Sequence, residues 1–181
     1  MKTNQPKSET VHRLFFALWP TGTARKALKN LQKAMAFDGR PVPAENFHIT
    51  LVFLGSVDAV QQGCIEKVAA GITAPAFDLC LDRIGSFPRA RIIWSGISRT
   101  PPALLSLVEK LNRGFATCGF APAAHPFTPH LTLVRKAGKP AGSSPHTPVQ
   151  WPVEDFCLVE SLTLPTGVRY RVLHCWPLEG V

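Results

Sequence analysis

The chain has 181 residues, 45% of them apolar and 18% charged, with a formal charge of +8; this describes a globular domain and excludes a disordered or fibrous chain. No apolar run is long enough to cross a membrane as a helix, and five scattered cysteines without a Cys-x-x-Cys pair argue against a zinc ribbon or a thioredoxin-type site. The excess of Lys and Arg suits a polyanionic partner such as RNA or a nucleotide through long-range attraction, without specifying one.

Residues 1–12 are polar, read as a flexible tail, and lack the apolar centre of a secretory leader. The cysteines read as small buried hydrophobes in a reducing cytoplasm. Residues 13–19 are short, apolar and aromatic and predict a buried strand that Pro20 stops. Thr21 or Thr23 is placed to cap a helix reaching about Phe37, with Ala24, Leu28 and Leu31 at helical spacing. A turn-rich stretch, with Glu45 and Asn46 shaping its end, leads into a strand at residues 48–54, and Asp58 caps a second helix to about Ala70. Strands are expected over residues 76–84 and 91–97, then a helix over 103–118 opened by Pro101 and Pro102. A strand at residues 130–134 precedes a Pro/Gly/Ser-rich stretch, 137–152, read as the best loop in the chain. Residues 156–164 and 169–176 read as a closing hairpin. The order predicts an α+β fold with two loosely similar halves, mostly antiparallel pairing, and residues 13–181 as a single bilobal domain.

Two of these strands carry the same tetrapeptide pattern, His48-Ile49-Thr50-Leu51 and His130-Leu131-Thr132-Leu133. Alternation along a strand puts His48 and Thr50 on one face and Ile49, Leu51 and Phe53 on the other. One such strand is usually incidental; two suggest a cleft holding two imidazoles and two hydroxyls. Imidazoles titrate near neutrality, so one can take a proton while the other gives one. Neither histidine has the partners of a zinc site, no Gly-rich phosphate loop precedes a Lys-Ser/Thr pair, and no serine sits in a nucleophile elbow. No metal or cofactor is therefore expected. The pattern suits metal-independent displacement at a phosphodiester.

Residues 42–55 and 126–135 resemble the two signatures of the bacterial and archaeal RNA 2′,3′-cyclic phosphodiesterases, historically called 2′-5′ RNA ligases, within the two-histidine (2H) phosphoesterase superfamily. The stretches Arg13-Leu14-Phe15-Phe16-Ala17 and Arg91-Ile92-Ile93-Trp94 match in kind and order, so the resemblance covers about residues 13–176. It implies a bilobal fold with both His-x-Thr strands lining a central groove. It further implies hydrolysis of RNA 2′,3′-cyclic phosphate ends to 2′-phosphates, with an ATP-independent 2′-5′ joining activity that needs no extra residues. By the same analogy His48 is the proton donor, His130 is the base that activates water, and Thr50 and Thr132 hold the nonbridging oxygens.

Arg135 is a family-like phosphate clamp, although strict alternation points it away from His130 and Thr132. Phe127 is a candidate for stacking a base, with core packing the alternative; Trp94 reads as core, and Arg89 and Arg91 as a solvated edge. His12, His125, His146 and His174 lack a Thr partner; His146 is expected in solvent. Tyr170 could face the cleft. The expected partner is RNA or a nucleotide with a cyclic phosphate end, met by a monomer away from membranes. The alternatives are a non-catalytic nucleotide-binding module or a phosphodiesterase for another cyclic phosphate.

Overall fold

Thr21 Oγ1 accepts a hydrogen bond from the Ala24 amide and starts helix α1 (Gly22–Ala34) after strand β1 (His12–Leu18). In the computed structural model, which describes residues 11–165 and 167–180, α1 stops short of Phe37 because Met35 is already extended. Strand β2 (Arg40–Pro41) and a 3-10 turn (Ala44–Asn46) lead to β3 (Ile49–Val57). Asp58 and Gln61 form a reciprocal capping box at the start of α2 (Ala59–Ala70). Strands β4 (Phe77–Phe87) and β5 (Ile92–Gly96) precede α3 (Pro102–Ala116), whose first position is a proline. Strands β6 (His130–Arg135), β7 (Ser144–Val153), β8 (Asp155–Leu164) and β9 (Gly167–Pro177) complete the chain.

The strands make one antiparallel sheet in the order β7-β4-β5-β6-β3-β1-β8-β9, with β2 also on β6. Its two halves, β7-β4-β5-β6 and β3-β1-β8-β9, meet where the two His-x-Thr strands lie side by side. That seam is narrow, because β3 and β6 pair only at Ile49↔Leu131. Helix-facing residues of both halves share one core that includes Phe16, Leu28, Ile49, Ile65, Leu111, Phe115, Leu131 and Trp151. The α+β architecture with two joined antiparallel halves is as the sequence predicts.

Three expectations are corrected. Much of the predicted loop at residues 137–152 belongs to β7: Val149, Trp151 and Val153 are buried while Pro148, Gln150 and Pro152 face out. Its prolines are tolerated because β7 is an edge strand pairing only with β4. His12, expected in the tail, is in β1, where it and Arg171 bond the buried Glu160 carboxylate; residues 1–10 lie outside the described residues. Four cysteines are not free hydrophobes: Cys64–Cys118 and Cys157–Cys175 are disulfides, and Cys80 is free. Their separations of 54 and 18 residues carry no pattern that the sequence alone reveals.

Candidate active site

The site is built at the seam by one backbone device used twice. His48 Nδ1 lies 2.7 Å from the Asn46 carbonyl oxygen, and His130 Nδ1 lies 2.7 Å from that of Thr128. A carbonyl only accepts, so each Nδ1 carries the proton and each Nε2 is left for chemistry. Since Ile49 pairs with Leu131, continuing the antiparallel register sets His48 against Thr132 and Thr50 against His130. Opposed residues share a face, so all four polar side chains point the same way.

Each motif leucine is a bulge. Between β1 and β3 the partners run Ala17↔Thr50 and then Phe16↔Val52, leaving Leu51 unpaired. Between β5 and β6 they run Trp94↔Thr132 and then Ile93↔Val134, leaving Leu133 unpaired. An inserted residue reverses the alternation beyond it. Phe53 and Arg135, each five positions after its histidine, are thereby turned to the cleft face. The parity objection to Arg135 is removed, and Phe53, expected on the face of Ile49 and Leu51, lines the cleft instead. The Leu133 carbonyl accepts from the Gln32 side chain at 2.7 Å and from the Val42 amide at 2.8 Å, so α1 and the chain after β2 satisfy the bulge.

A cleft of about 650 Å³ opens over these residues. Its walls include His48, Thr50, Thr132 and Arg135, with Arg13, Arg40 and Lys136 adding positive charge. His130 lies beside this space rather than among its lining residues; its ring edge meets Phe87 at a centroid distance of 4.9 Å. Phe127 packs on the hydrophobic core instead of lining the cleft, which leaves the stacking role expected of it without a surface there. Trp94 is on the cleft face, 6.3 Å from His130 between ring centroids. It occupies a slot that two glycines create, since a Cβ on Gly85 or Gly96 would lie 2.2 or 2.6 Å from its ring.

His48 is caged more tightly. Trp19 stacks on it at 5.6 Å with a 10° interplanar angle, Phe15 lies at 5.0 Å, and Tyr170 meets it edge-on at 4.9 Å. Burial lowers its pKa to about 4, against the Asn46 hydrogen bond, and the charges of Arg135 and His130 push the same way. His130 is also below the ordinary imidazole range, first through burial and then through Arg135, with the Thr128 hydrogen bond opposing.

The sequence singled out neither Trp19 nor Phe15 for this site; both precede the first motif and reach it across the β1–β3 pairing. Asn46 does more than shape a turn, because its side chain donates to the Val168 carbonyl at 3.0 Å and ties β9 to the approach to His48. Arg91 is not free on an edge: its guanidinium donates to the Ala137 and Lys136 carbonyls. His146 is half-buried, with Nε2 2.9 Å from Ser95 Oγ, and not free in solvent.

A family model described as the 2′-5′ RNA ligase superfamily matches residues 19–163. The chain is 35% identical over 171 residues to the RNA 2′,3′-cyclic phosphodiesterase of Escherichia coli K12, covering 92% of this chain and 96% of that one. It is 34% identical to the Thermus thermophilus protein of the same name, covering 93% and 91%. The crystal structure of E. coli LigT complexed with 3′-AMP superposes with a TM-score of 0.87 at 32% identity, over 93% of this chain and 99% of that one. Among the described residues no helix is long and apolar enough to cross a membrane.

Proposed function

The chain belongs to the 2′-5′ RNA ligase superfamily, and from that premise we propose that it is an RNA 2′,3′-cyclic phosphodiesterase that opens the cyclic phosphate to a 2′-phosphate. The observation that carries the reading is the doubled motif on adjacent strands, with Nδ1 of both imidazoles committed to backbone carbonyls and so Nε2 of both left to meet substrate.

Water attacks phosphorus, the P–O3′ bond breaks, and a 2′-phosphate and a 3′-hydroxyl result. His130 Nε2 takes the proton from water; His48 Nε2–H gives one to O3′. Thr50 and Thr132 hold the nonbridging oxygens, and the Arg135 fork balances the charge that builds on them. With a 5′-hydroxyl in place of water the same groups join two RNA ends through a 2′-5′ linkage. Burial, aided by the Arg135 charge, keeps His48 neutral in the free protein; an incoming phosphate anion offsets that charge and favours the protonated form. The proton donor is thus armed by its substrate. The RNA named as the substrate of its relatives and the net charge of +8 support an RNA end as the partner.

The test is incubation of a short RNA with a 2′,3′-cyclic end in EDTA, followed by phosphorus NMR. A 2′-phosphomonoester is expected; a 3′-phosphomonoester means that O2′ leaves, and retained cyclic phosphate with bound RNA means a binding module.

A further inference from the structure

The two halves use the same bulge to turn different side chains into the cleft: Arg135 in one and Phe53 in the other. Val52 and Leu54, on either side of Phe53, pack against the core. Phe53 itself is 56% exposed, and the Arg13 guanidinium carbon sits 5.1 Å from its ring centroid. An aromatic face repels anions and attracts cations and other π-faces. The position that holds phosphate in the second half therefore cannot hold it in the first. We infer that Phe53 is the platform on which the terminal nucleobase stacks, with Arg13 covering its other side. The inference rests on the cleft being the cyclic-phosphate site proposed above, and it assigns the cleft a polarity: phosphate among Thr50, Thr132 and Arg135, base against Phe53.

Arg13 is exposed, so its guanidinium can leave the ring face, admit a base and close over it without repacking the core. Stacking accepts any base, because every base has a π-face. Recognition here is consequently of a nucleotide against a bare phosphate, with larger rings held more firmly.

The experiment compares calorimetric binding of adenosine 2′-phosphate and of inorganic phosphate to wild-type protein, Phe53→Ala and Phe53→Trp. Phe53→Ala is expected to weaken the nucleotide by about tenfold or more while phosphate affinity stays within about twofold. Phe53→Trp is expected to keep the nucleotide affinity, because the larger ring still offers a stacking face. Equal losses for both ligands, unchanged nucleotide binding in Phe53→Ala, or a wild-type protein that binds the nucleotide no better than phosphate each overturn the platform. Turnover of cyclic-ended RNA is scored separately. A protein that binds as expected but opens no cyclic phosphate sinks the proposed activity and leaves the platform standing.

Discussion

The His48 half and the His130 half share a tetrapeptide, a carbonyl acceptor two residues before the histidine, and a bulged leucine, yet they are not equivalent. Three aromatic rings enclose His48, whereas His130 meets Phe87 closely and Trp94 at longer range. Beyond its bulge the second half carries a cation, Arg135, and the first an exposed ring, Phe53. A duplicated backbone sets two imidazoles on the same face of adjacent strands; the side chains packed around them enclose one more tightly than the other. Function here comes from breaking the symmetry, not from having it.

The hardest test of that division removes each imidazole in turn. His48→Ala and His130→Ala are each expected to cut kcat by about 10²- to 10⁴-fold while nucleotide binding stays within a few-fold. If they are a true acid and base, each variant keeps one limb of the pH profile and loses the other. Two variants with identical residual profiles would break the comparison. Arg135 comes next. Its replacement by Ala is expected to lower kcat/KM by about 10²-fold, the cost of removing one donor aimed at developing charge. It should also move the pH optimum upward, because Arg135 lowers both histidines. Arg135→Lys should restore the optimum better than the rate, since an ammonium supplies charge without the fork.

The wild-type pH profile sharpens the same contrast. A singly protonated pair is required, and both imidazoles lie below the ordinary value of 6.5 in the free site. The maximum of kcat/KM is therefore expected below pH 6.5, falling about tenfold per unit on its alkaline side. The maximum of kcat should lie at higher pH, because bound phosphate favours the protonated form. A flat kcat/KM between pH 7 and 9, measured with a cyclic-ended dinucleotide, would remove the model.

What the sequence disclosed depended on the range over which the cause acts. His48, Thr50, His130 and Thr132 were legible because a repeated short pattern on apolar strands is local information. The helix starts at Thr21 and Asp58 were legible for the same reason, as side-chain caps act within a turn. The bulges at Leu51 and Leu133 were not, since an extra residue is defined only against the partner strand; strict alternation therefore misdirected both Phe53 and Arg135. β7 was hidden because its prolines signal a loop unless one knows that it is an edge strand. The disulfide pairs and the Trp19–Phe15–Tyr170 cage join distant segments, and no periodicity reports such meetings.

The smallest expected effect isolates the cost of caging His48. Its folded-state pKa of about 4 lies below the ordinary 6.5, so as pH falls the unfolded chain binds this proton first. The stability that goes with a neutral His48 is complete above about pH 6.5 and is lost as pH falls toward 4. At pH 5 that loss is on the order of 2 kcal/mol from this residue. His48→Gln is neutral throughout and escapes it. Denaturant unfolding of both proteins at pH 7.5 and pH 5 should therefore show the variant gaining on wild type by about that amount in acid, whatever other groups contribute to both. No gain would mean that His48 keeps an ordinary affinity for protons in the folded protein. The asymmetry between the halves would then have to come from Arg135 and Phe53 alone. A gain that disappears when Trp19 is replaced by Leu would tie the effect to the stacked ring, and so to the enclosure that distinguishes the first half from the second.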